Sequence, residues 1–359
     1  MLADHHLDQL GLGPAFEALP HRKESRVELA FDDGSIVENF SRLPGRYRHL
    51  ALVPQWDFLS MLATAGAASP HFDLRMSAEL TDVTRTSARY LDRTTGTTHD
   101  LATSLVIGCD GRHSRLRDAL ALPRKEVATS FDALYLNLPR EAGDPEHTIV
   151  RFSGLGGIVM LNRVSYWQVA VLIGKGSTKQ MLADDAAATR AAVTALDPSL
   201  ADRVAAMRAD EIARLEVRID RLLRWWAPGA LCIGDAAHAM SPVAGVGINL
   251  AIQDAVAAAR ILVPALRAGR VTDRHLAAVQ RRRTLPTLLT QAMQRAAQAR
   301  FTTVPADGLI SDLPPLRIPQ PLRTLRHLPV FEHLLGRVVG IGIRPERLTG
   351  SLAPLAVTS

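Results

Sequence analysis

Two turns of the chain combine a glycine with an aspartate directly after an apolar run. One pair is Asp110 and Gly111, and the other is Gly234 and Asp235. In open α/β sheets, ligands bind beyond the carboxyl ends of the strands, where loops and helix N-termini converge. A carboxylate in that position can accept charge-assisted hydrogen bonds from sugar or polyol hydroxyls, which are the stronger kind. Both turns are therefore candidate ligand sites, and Asp235 suits a ligand rich in hydroxyl groups.

A glycine-rich segment after the second turn opens the longest predicted helix. Pro242 is followed by Gly245, Gly247, Ile248 and Asn249. Glycines allow backbone N–H groups to approach a ligand closely, and a helix N-terminus carries partial positive charge with unsatisfied donors. This segment therefore suits an anion or a developing negative charge.

Single residues in these segments also have plainer interpretations. A lone Gly-Asp pair is more often a turn or a cap than a ligand site, so the weight rests on strand, turn and helix together. Cys109 and Cys232 lie in apolar strands and are interpreted as buried, inert thiols. For His238 a structural role is favoured over that of a general base, because no recognisable nucleophile accompanies it. Trp225 and Trp226 are interpreted as core or domain-seam residues.

The apolar patterns around the turns predict a mixed α/β chain. Unbroken apolar runs at 105–108 and 231–234 are typical of parallel strands covered on both faces. Asp32-Asp33-Gly34 predicts a tight hairpin between strands 26–31 and 35–40, and helical spacing predicts a helix over 55–68. Further strands are predicted at 74–76, 80–83, 88–91, 133–138, 157–161 and 166–173, an Ala-rich helical region at 180–208, and helices at 247–266 and 273–300.

Length and charge narrow the class of protein. A chain of 359 residues exceeds the size at which one hydrophobic core usually stops growing, so more than one packed unit is expected. A net charge of +6 suits nucleic acid, anionic substrates or phosphate-bearing cofactors equally well. The run Arg281 to Arg283 lies on a predicted helix and is interpreted as a solvated face rather than a nucleic-acid patch.

Cysteine usage and hydropathy address the compartment. Two cysteines are too few for a disulfide framework, and the N-terminus lacks the pattern of a secretory signal. The best candidate for a membrane helix, 250–266, contains Asp254 and Arg260. We therefore expect a cytoplasmic protein with no membrane span and no nucleic-acid partner.

Two motifs resemble those of the class A flavoprotein monooxygenases, the single-component aromatic hydroxylases typified by p-hydroxybenzoate hydroxylase. The stretch from Gly234 to Asn249 is similar to their Gly-Asp motif, and the stretch from Cys109 to Arg117 looks like their Asp-Gly motif. The resemblance implies an α/β fold: a Rossmann-like, glutathione-reductase-like FAD-binding domain with a parallel sheet, interleaved with a substrate domain built on a mixed or antiparallel sheet.

The same resemblance implies a division of the chain. The FAD-binding domain would take 1–124 and 226–300, with strands at about 20–52 inserted from the substrate domain. The substrate domain would take 125–225, and the tail 301–359 would pack on it.

Site residues are carried over from the family position by position. Asp235 would bind the ribityl chain of FAD, and Pro242 to Asn249 would lie against the pyrimidine edge of the flavin. Asp110 and Gly111 would lie near the pyrophosphate and the path of the nicotinamide nucleotide. The predicted cofactor-binding set is Gln55, Asp110, Gly111, Gly234, Asp235, Pro242, Gly245, Gly247, Ile248 and Asn249. No catalytic side chain and no metal site is predicted.

One part of the family pattern is missing. Members begin with a strand, a Gly-x-Gly-x-x-Gly turn and a helix, whereas the stretch from Gly11 to Phe16 fails at the third glycine. The missing unit would supply donors for the pyrophosphate and central strands of the sheet, so the FAD-binding domain would be incomplete at its N-terminus. We expect the native protein to continue upstream of Met1; the rival hypothesis is a short protein that binds FAD poorly or not at all.

The resemblance implies an FAD-dependent oxidoreductase, most simply an NAD(P)H- and O2-using monooxygenase of an aromatic or other electron-rich small molecule. Two alternatives stay open: a flavin-dependent reductase of an isoprenoid-like substrate, and a non-catalytic remnant that does not hold FAD. The protein would be a monomer or a homodimer. Tyr135, Tyr166 and Trp167 fall in the predicted substrate domain as possible pocket residues, although packing is favoured for each.

Overall fold

A computed structural model describes residues 2–43, 47–242, 245–298, 315–325, 337 and 340–348. The helices are α1 (Leu2–Gln9), α2 (Gly13–Glu17), α3 (Gln55–Ala67), α4 (Arg115–Ala119), α5 (Thr178–Met181), α6 (Ala183–Leu196), α7 (Ala201–Ala205), α8 (Gly247–Arg267), α9 (Asp273–Gln298) and α10 (Gln320–Leu325). Short 3-10 turns occupy Phe40–Arg42, Gly111–His113, Pro198–Leu200, Ala209–Glu211 and Gly234–Ala236.

The strands are β1 (Arg22–Glu24), β2 (Arg26–Phe31), β3 (Gly34–Asn39), β4 (Leu50–Leu52), β5 (Ala78–Val83), β6 (Ser87–Asp92), β7 (Thr97–Ala102), β8 (Val106–Gly108), β9 (Arg124–Val127), β10 (Phe131–Pro139), β11 (Thr148–Ser153), β12 (Gly156–Asn162), β13 (Tyr166–Gly174), β14 (Ala213–Leu215), β15 (Ile219–Leu222), β16 (Trp226–Ala227) and β17 (Ala230–Cys232). The chain is thus a mixed α/β protein, as predicted.

A seven-stranded sheet is the largest element of the fold, in the order β14-β10-β13-β12-β11-β2-β3. Its pairs are antiparallel except for β11 beside β2, which run parallel. The predicted hairpin forms β2 and β3, with Gly34 at a φ of 137°, a value that favours glycine. The sheet is therefore mixed, and it joins strands from residues 26–39 to strands from residues 131–215.

One face of this sheet packs against α6 and α7. Alternate side chains such as Leu134, Val169 and Val171 point to that face and are fully buried with Val193 and Leu200. Trp167 is also fully buried on that face, which confirms its packing role. Tyr166, in contrast, is 37% exposed, so the packing prediction is wrong for this residue, which lies at the end of β13.

A smaller sheet positions the two Gly-Asp turns. In the order β16-β17-β8, β17 runs parallel to β8, with Cys232 opposite Gly108. The two predicted parallel strands are thus confirmed as neighbours. Coverage of both faces is confirmed for β17, which is wholly buried, but it is wrong for β8, whose Ile107 is 39% exposed. β8 is an edge strand of this sheet, so one of its sides has no neighbouring strand among the described residues.

The edge position of β8 also explains why the prediction of a buried thiol is wrong for Cys109. Cys109, which follows β8, is exposed and is not the buried thiol that the sequence predicted. Cys232 lies in the central strand and is buried, and its burial raises the pKa of the thiol to about 12. At neutral pH the Cys232 thiol is therefore protonated and unreactive, as predicted.

A third sheet, β5-β6-β7, is the antiparallel meander expected before β8. The predicted strand at 74–76 is not part of it. Leu74 and Met76 are 52% and 72% exposed in an irregular segment, so that prediction is wrong. Alternation of apolar residues identified a possible strand there, but a strand forms only where a partner supplies backbone hydrogen bonds.

Two long helices pack against the small sheet. The predicted helix at 247–266 is α8, and the one at 273–300 is α9, whose last described residue is Gln298. By length and composition alone, α8 is the one helix of the described residues that could cross a membrane. In the fold it supplies core residues, including Val256, Ala257 and Leu262.

The described parts of the tail contact two regions. Leu316 and Ile318 hydrogen-bond to Asp32 and Asp33 in the turn between β2 and β3. Further along, the Glu346 side chain is fully buried against arginines of α8 and α9. The tail therefore touches both the large sheet and the helices that follow the second Gly-Asp turn.

Asp144 ties the end of the large sheet to α7. Its carboxylate accepts hydrogen bonds from Arg203 (2.7 Å), the Trp167 ring nitrogen (2.9 Å) and the backbone N–H of Glu141 (2.9 Å). Burial opposes its ionisation, but these donors outweigh burial and lower the pKa of Asp144 to about 2. The folded protein therefore stabilises the charged carboxylate of Asp144.

Replacing Asp144 with asparagine should destabilise the protein in a pH-dependent way. Because the folded-state pKa lies below the unfolded value of about 3.9, the charge stabilises the fold above about pH 4, and this contribution is lost as the pH falls toward 2. We expect Asp144→Asn to lower the free energy of unfolding by about 2 kcal/mol at pH 7. Urea unfolding between pH 7 and pH 2.5 measures the deficit, which should shrink at the acid end.

The matched control is Asp100→Asn, which removes an exposed ion pair with Arg89. Exposed pairs contribute little to stability, so this variant should stay close to the wild type at every pH. A deficit for Asp144→Asn that did not change with pH would contradict the assignment.

Candidate functional site

The two turns that combine a glycine with an aspartate lie side by side at the carboxyl edge of the small sheet. We call Gly108–Ser114 the Asp-Gly turn and Gly234–His238 the Gly-Asp turn. Because β8 and β17 are parallel neighbours, both turns leave the same edge, and the backbone N–H of Ile233 donates to the carbonyl of Gly108 at 3.0 Å. The structure thus brings together the residues that the sequence identified in the two motifs.

Arg112 links the two turns directly. Its Nε donates to Oδ2 of Asp235 at 3.1 Å, and its Nη2 donates to the backbone carbonyl of Met240 at 3.1 Å. The carbonyl of Arg112 in turn accepts a hydrogen bond from Arg117 at 2.7 Å. Arg112 is not among the residues predicted from the sequence, because the sequence of a turn does not show where a long basic side chain will reach.

Asp235 remains partly open to solvent. Its side chain is 31% exposed, and the described contacts engage Oδ2 only. A carboxylate offers about four lone-pair sites on two oxygens. Asp235 therefore retains acceptor capacity for a ligand hydroxyl while it stays paired with Arg112.

The other aspartate of the set is used inside its own turn. Oδ1 of Asp110 accepts from the Ser114 hydroxyl at 2.6 Å, and Oδ2 accepts from the backbone N–H of Leu116 at 3.2 Å. Ser114 in turn caps α4 by accepting from the backbone N–H of Arg117 at 3.0 Å. These contacts give Asp110 a structural task at the start of α4, and its proposed place near a pyrophosphate stays a prediction.

The two turns require glycine at Gly111 and Gly234 for different physical reasons. Gly111 has a φ of +77° and no heavy atom within 4 Å of where a Cβ would lie, so its conformation, not crowding, favours glycine. Gly234 has a φ of +60°, and a Cβ there would lie 3.1 Å from the Cβ of Ala251. The first glycine leaves open space beside the site, and the second allows α8 to pack against the turn.

A buried carboxylate behind the site holds the Gly-Asp turn. Asp254, in α8, is fully buried and accepts hydrogen bonds from His238 Nε2 (2.5 Å), Arg283 Nε (2.8 Å) and the backbone N–H of Gly234 (3.1 Å). Desolvation raises the pKa of Asp254, but the charges and hydrogen bonds of His238 and Arg283 outweigh it, and the pKa is lowered. The ionised form is thus the stable one.

The network confirms one prediction and corrects another. His238 is 1% exposed and pairs with Asp254, which is the structural role expected of it. The run of arginines in α9 is not a solvated face: Arg283 is fully buried, and Arg282 is paired with Glu346 at 2.5 Å. Only Arg281 of the run is exposed, so the sequence interpretation was wrong for the other two.

The predicted core tryptophan completes the back of the turn. Trp225 is 2% exposed and packs against the His238 ring, with ring centroids 4.9 Å apart. Trp226 is half-buried at the edge of the same apolar cluster. Both positions agree with the interpretation of core residues.

The N-terminus of α8 lies beside the Gly-Asp turn. Gly247 opens the helix, and no described side chain caps it at Val246. Gly245 is exposed with a φ of +60°, Ile248 is 49% exposed, and Asn249 and Pro242 are half-buried. The first N–H groups of this long helix are thus available to donate hydrogen bonds to an anion.

Gln55 stands apart from the other predicted residues. It is the first residue of α3 and is exposed. The described contacts of α3 are with the N-terminal cluster, where Phe58 packs edge-on against Phe16 at 6.0 Å. No described contact joins Gln55 to either turn, so its role stays a prediction from a short match.

The available atoms fit a flavin cofactor better than a metal. They comprise an acceptor on Asp235, uncapped donors of α8 and a guanidinium nitrogen, Nη1 of Arg112, which is buried without a hydrogen-bond partner among the described residues. Hydroxyls and anionic oxygens complement such a set. Within the described ranges, no group of three or more His, Cys, Asp or Glu side chains could hold a metal ion.

Comparison with known proteins agrees with this fit. The family described as "FAD binding domain" matches residues 5–293. The chain is 31% identical over 256 residues to 6-methylpretetramide 4-monooxygenase of Streptomyces rimosus, covering 68% of this chain and 60% of that protein. It is 29% identical over 220 residues to kynurenine 3-monooxygenase of Stenotrophomonas maltophilia (strain K279a), covering 57% of this chain and 48% of that protein.

The chain thus spans about half to three-fifths of the length of these relatives. Among solved structures, PqsL of P. aeruginosa in complex with 2-aminobenzoylacetate superposes with a TM-score of 0.72 at 18% identity, covering 86% of each chain. The structural likeness supports the fold, a mixed α/β arrangement.

Removing the charge of Asp254 should destabilise the Gly-Asp turn and the two helices that contact it. We expect Asp254→Asn to lower the free energy of unfolding by about 3–5 kcal/mol, because Arg283 would be left buried without its carboxylate. Arg283→Met should cost a comparable amount, and the double variant should cost less than the sum, because the two residues interact. Chemical denaturation of the three variants measures the cycle.

Arg281→Met is the control, since it changes an exposed arginine on the same helix. Its free energy of unfolding should lie within about 0.5 kcal/mol of the wild type. Strict additivity of the two buried substitutions would disprove the pairing.

Proposed function

The chain belongs to the FAD-binding-domain family, and from that premise we propose that it is an FAD-dependent monooxygenase that uses NAD(P)H and O2. The observation that carries the proposal is the meeting of the two Gly-Asp turns, with the open carboxylate of Asp235 beside the uncapped N-terminus of α8. Both curated relatives are named monooxygenases, which supports the same reaction class.

Each part of the site has a task in holding the cofactor. Asp235 would accept hydrogen bonds from the ribityl hydroxyls, which a charged acceptor strengthens. The helix start at Gly247 to Asn249 would face the pyrimidine edge of the flavin, where a helix N-terminus favours the negative charge of the reduced form. When bound, FAD supplies the redox and oxygen chemistry, and the protein positions and shields it. No side chain is assigned as acid or base.

The face of the large sheet opposite α6 and α7 is the proposed substrate side. Tyr135 lies on that face beside the apolar cluster of Phe131 and Leu172 and is half-buried. Burial raises the pKa of its hydroxyl, and the positive charge of Arg112 acts in the opposite direction. Tyr135 therefore belongs to the face of the large sheet that we propose as the substrate side.

The substrate class proposed is an aromatic or other electron-rich small molecule. We also propose the domain division expected from the sequence. The large sheet, which combines strands from 20–52 with strands from 125–225, would form the substrate domain, and α8 and α9, from 226–300, would belong to the FAD-binding domain. We further propose that the protein acts in the cytoplasm as a monomer or a homodimer.

Uptake of FAD is the first test. We expect the purified protein to acquire the visible absorbance of a bound flavin on addition of FAD, and Asp235→Ala to bind FAD at least about tenfold more weakly, because hydrogen bonds to charged groups contribute about 1.5–3 kcal/mol. Asp202→Asn, at an exposed position of α7, is the matched control and should bind like the wild type. A folded protein that takes up no FAD would reject the proposal.

The reaction class has its own test. We expect NADH or NADPH oxidation by the flavin-loaded protein to rise with a phenol or a polyketide-like aromatic and to consume O2, with one oxygen atom recovered in the product. Product formation without O2 from an isoprenoid would instead identify a reductase. Isotopically labelled O2 and mass spectrometry distinguish the two results.

A further inference from the structure

Glu346 is a buried carboxylate that the proposed function does not yet use. It lies in the tail segment 340–348 and is fully buried. Its Oε2 accepts a hydrogen bond from Arg260 Nη1 at 2.7 Å, and its Oε1 accepts one from Arg282 Nε at 2.5 Å. The same Oε1 lies 3.6 Å from Nη1 of Arg283. Glu346 therefore gathers three arginines of α8 and α9 around one charge.

The three arginines differ in their access to solvent. The side chains of Arg260 and Arg282 are 34% and 30% exposed, whereas that of Arg283 is fully buried. Without the carboxylate of Glu346, the first two arginines could turn to water, but Arg283 could not. A buried charge without a partner is costly, so the loss of this carboxylate would act mainly on Arg283.

Arg283 lies between two buried carboxylates. Its Nε donates to Oδ1 of Asp254 at 2.8 Å, and its Nη1 faces Glu346. The other hydrogen bonds of Nη1 are long, at 3.4 Å to the Gln253 side chain and 3.5 Å to the carbonyl of Arg344. The position of the guanidinium therefore depends on both carboxylates, and a change at one of them is felt at the other.

Asp254 transmits this position to the ligand side of the Gly-Asp turn. Its Oδ2 accepts hydrogen bonds from the backbone N–H of Gly234 at 3.1 Å and from His238 at 2.5 Å. Gly234 is followed directly by Asp235, the carboxylate that we propose for the ribityl chain. Three consecutive contacts thus lead from the tail segment to the backbone of the cofactor site.

The tail segment is itself anchored to the rest of the protein. Leu348 and the side chain of Gln9 in α1 exchange two hydrogen bonds, at 3.1 and 3.2 Å. Gly342 has a φ of +81°, and a Cβ there would lie 3.0 Å from the side-chain nitrogen of Gln253. The backbone is therefore held on both sides of Glu346, so its carboxylate is a fixed point for the arginines.

We propose that Glu346 is a positioning residue for the cofactor. Through Arg283 and Asp254, its carboxylate holds the Gly-Asp turn in the conformation that binds FAD, so that docking of the tail segment controls how tightly the flavin is retained. The inference rests on the proposed FAD function and adds to it a residue that acts through others.

A double-mutant cycle on flavin affinity tests this route. FAD is added to the wild type, Glu346→Gln, Asp254→Asn and the double variant, and quenching of flavin fluorescence gives each dissociation constant. We expect Glu346→Gln to weaken FAD binding about tenfold, which is within the range for residues that act through a coupled network. In the Asp254→Asn background the same substitution should change the dissociation constant by less than about twofold, because the route is already broken.

Hydrogen exchange of the wild type tests the same link without a variant. Coupling between two sites is reciprocal, so a tail segment that tightens flavin binding must itself be held more tightly when flavin is bound. We expect added FAD to slow exchange of the hydrogen-bonded amides of Ile341, Gly342 and Leu348, measured by mass spectrometry. The amides of Leu316 and Ile318, which bond to the turn between β2 and β3, are the internal control and should not change.

Asp144→Asn is the matched control for stability, because it removes a well-paired carboxylate beside α7. It should lower the free energy of unfolding and leave the dissociation constant of FAD within about twofold of the wild type. If Asp144→Asn weakened FAD binding as much as Glu346→Gln does, loss of stability would explain both results and the inference would be wrong.

Three results would each overturn the inference and leave the FAD function standing: wild-type affinity of Glu346→Gln for FAD, equal losses in the two backgrounds of the cycle, or unchanged exchange at 340–348 when FAD binds. If a variant does not fold, the exchange measurement on the wild type decides. Failure of the wild type to bind FAD would reject the proposed function, and this inference with it.

Discussion

A single buried carboxylate, that of Asp254, is the constraint on which the candidate site depends. An ionised carboxylate without solvent is costly unless donors surround it. Here a histidine of the Gly-Asp turn, an arginine of α9 and the amide of Gly234 supply those donors. Because the donors come from separate elements, satisfying one charge fixes the turn against two helices at once.

The same requirement extends to the tail. Glu346 is fully buried and is paired with Arg260 and Arg282, the latter 64 positions earlier in the chain, and it lies 3.6 Å from Arg283. Buried ion pairs contribute little net stability compared with apolar packing, but an unpaired charge is penalised strongly. Alternative placements of the turn or the tail would leave charges unpaired. Because these contacts hold the Gly-Asp turn in place, Oδ1 of Asp235 can remain without a partner among the described residues.

The sequence predicted those features that near neighbours determine. The hairpin at Gly34, the helix that begins at Gln55 and the two parallel strands each follow from residues within one element, and all three are confirmed. The errors concern residues whose partners are distant. Arg283 reads as a surface charge until Asp254 and Glu346 are placed beside it, and a strand at 74–76 requires a neighbour that alternation alone does not supply. The ligand contacts of the site remain predictions, since they concern a molecule and not the chain.

The two aspartates illustrate how much of a site depends on the residues that follow it. Asp110 has Ser114 four positions later, and the serine hydroxyl together with the amide of Leu116 satisfies both of its oxygens. Asp235 is followed by Ala236 and Ala237, which offer no side-chain donor, and the histidine at 238 is already committed to Asp254. The two motifs look equivalent as Gly-Asp pairs, but their neighbours engage the first carboxylate and leave part of the second available. In the function we propose, a ligand at this edge of the sheet would meet Asp235, whose other oxygen is paired with Arg112.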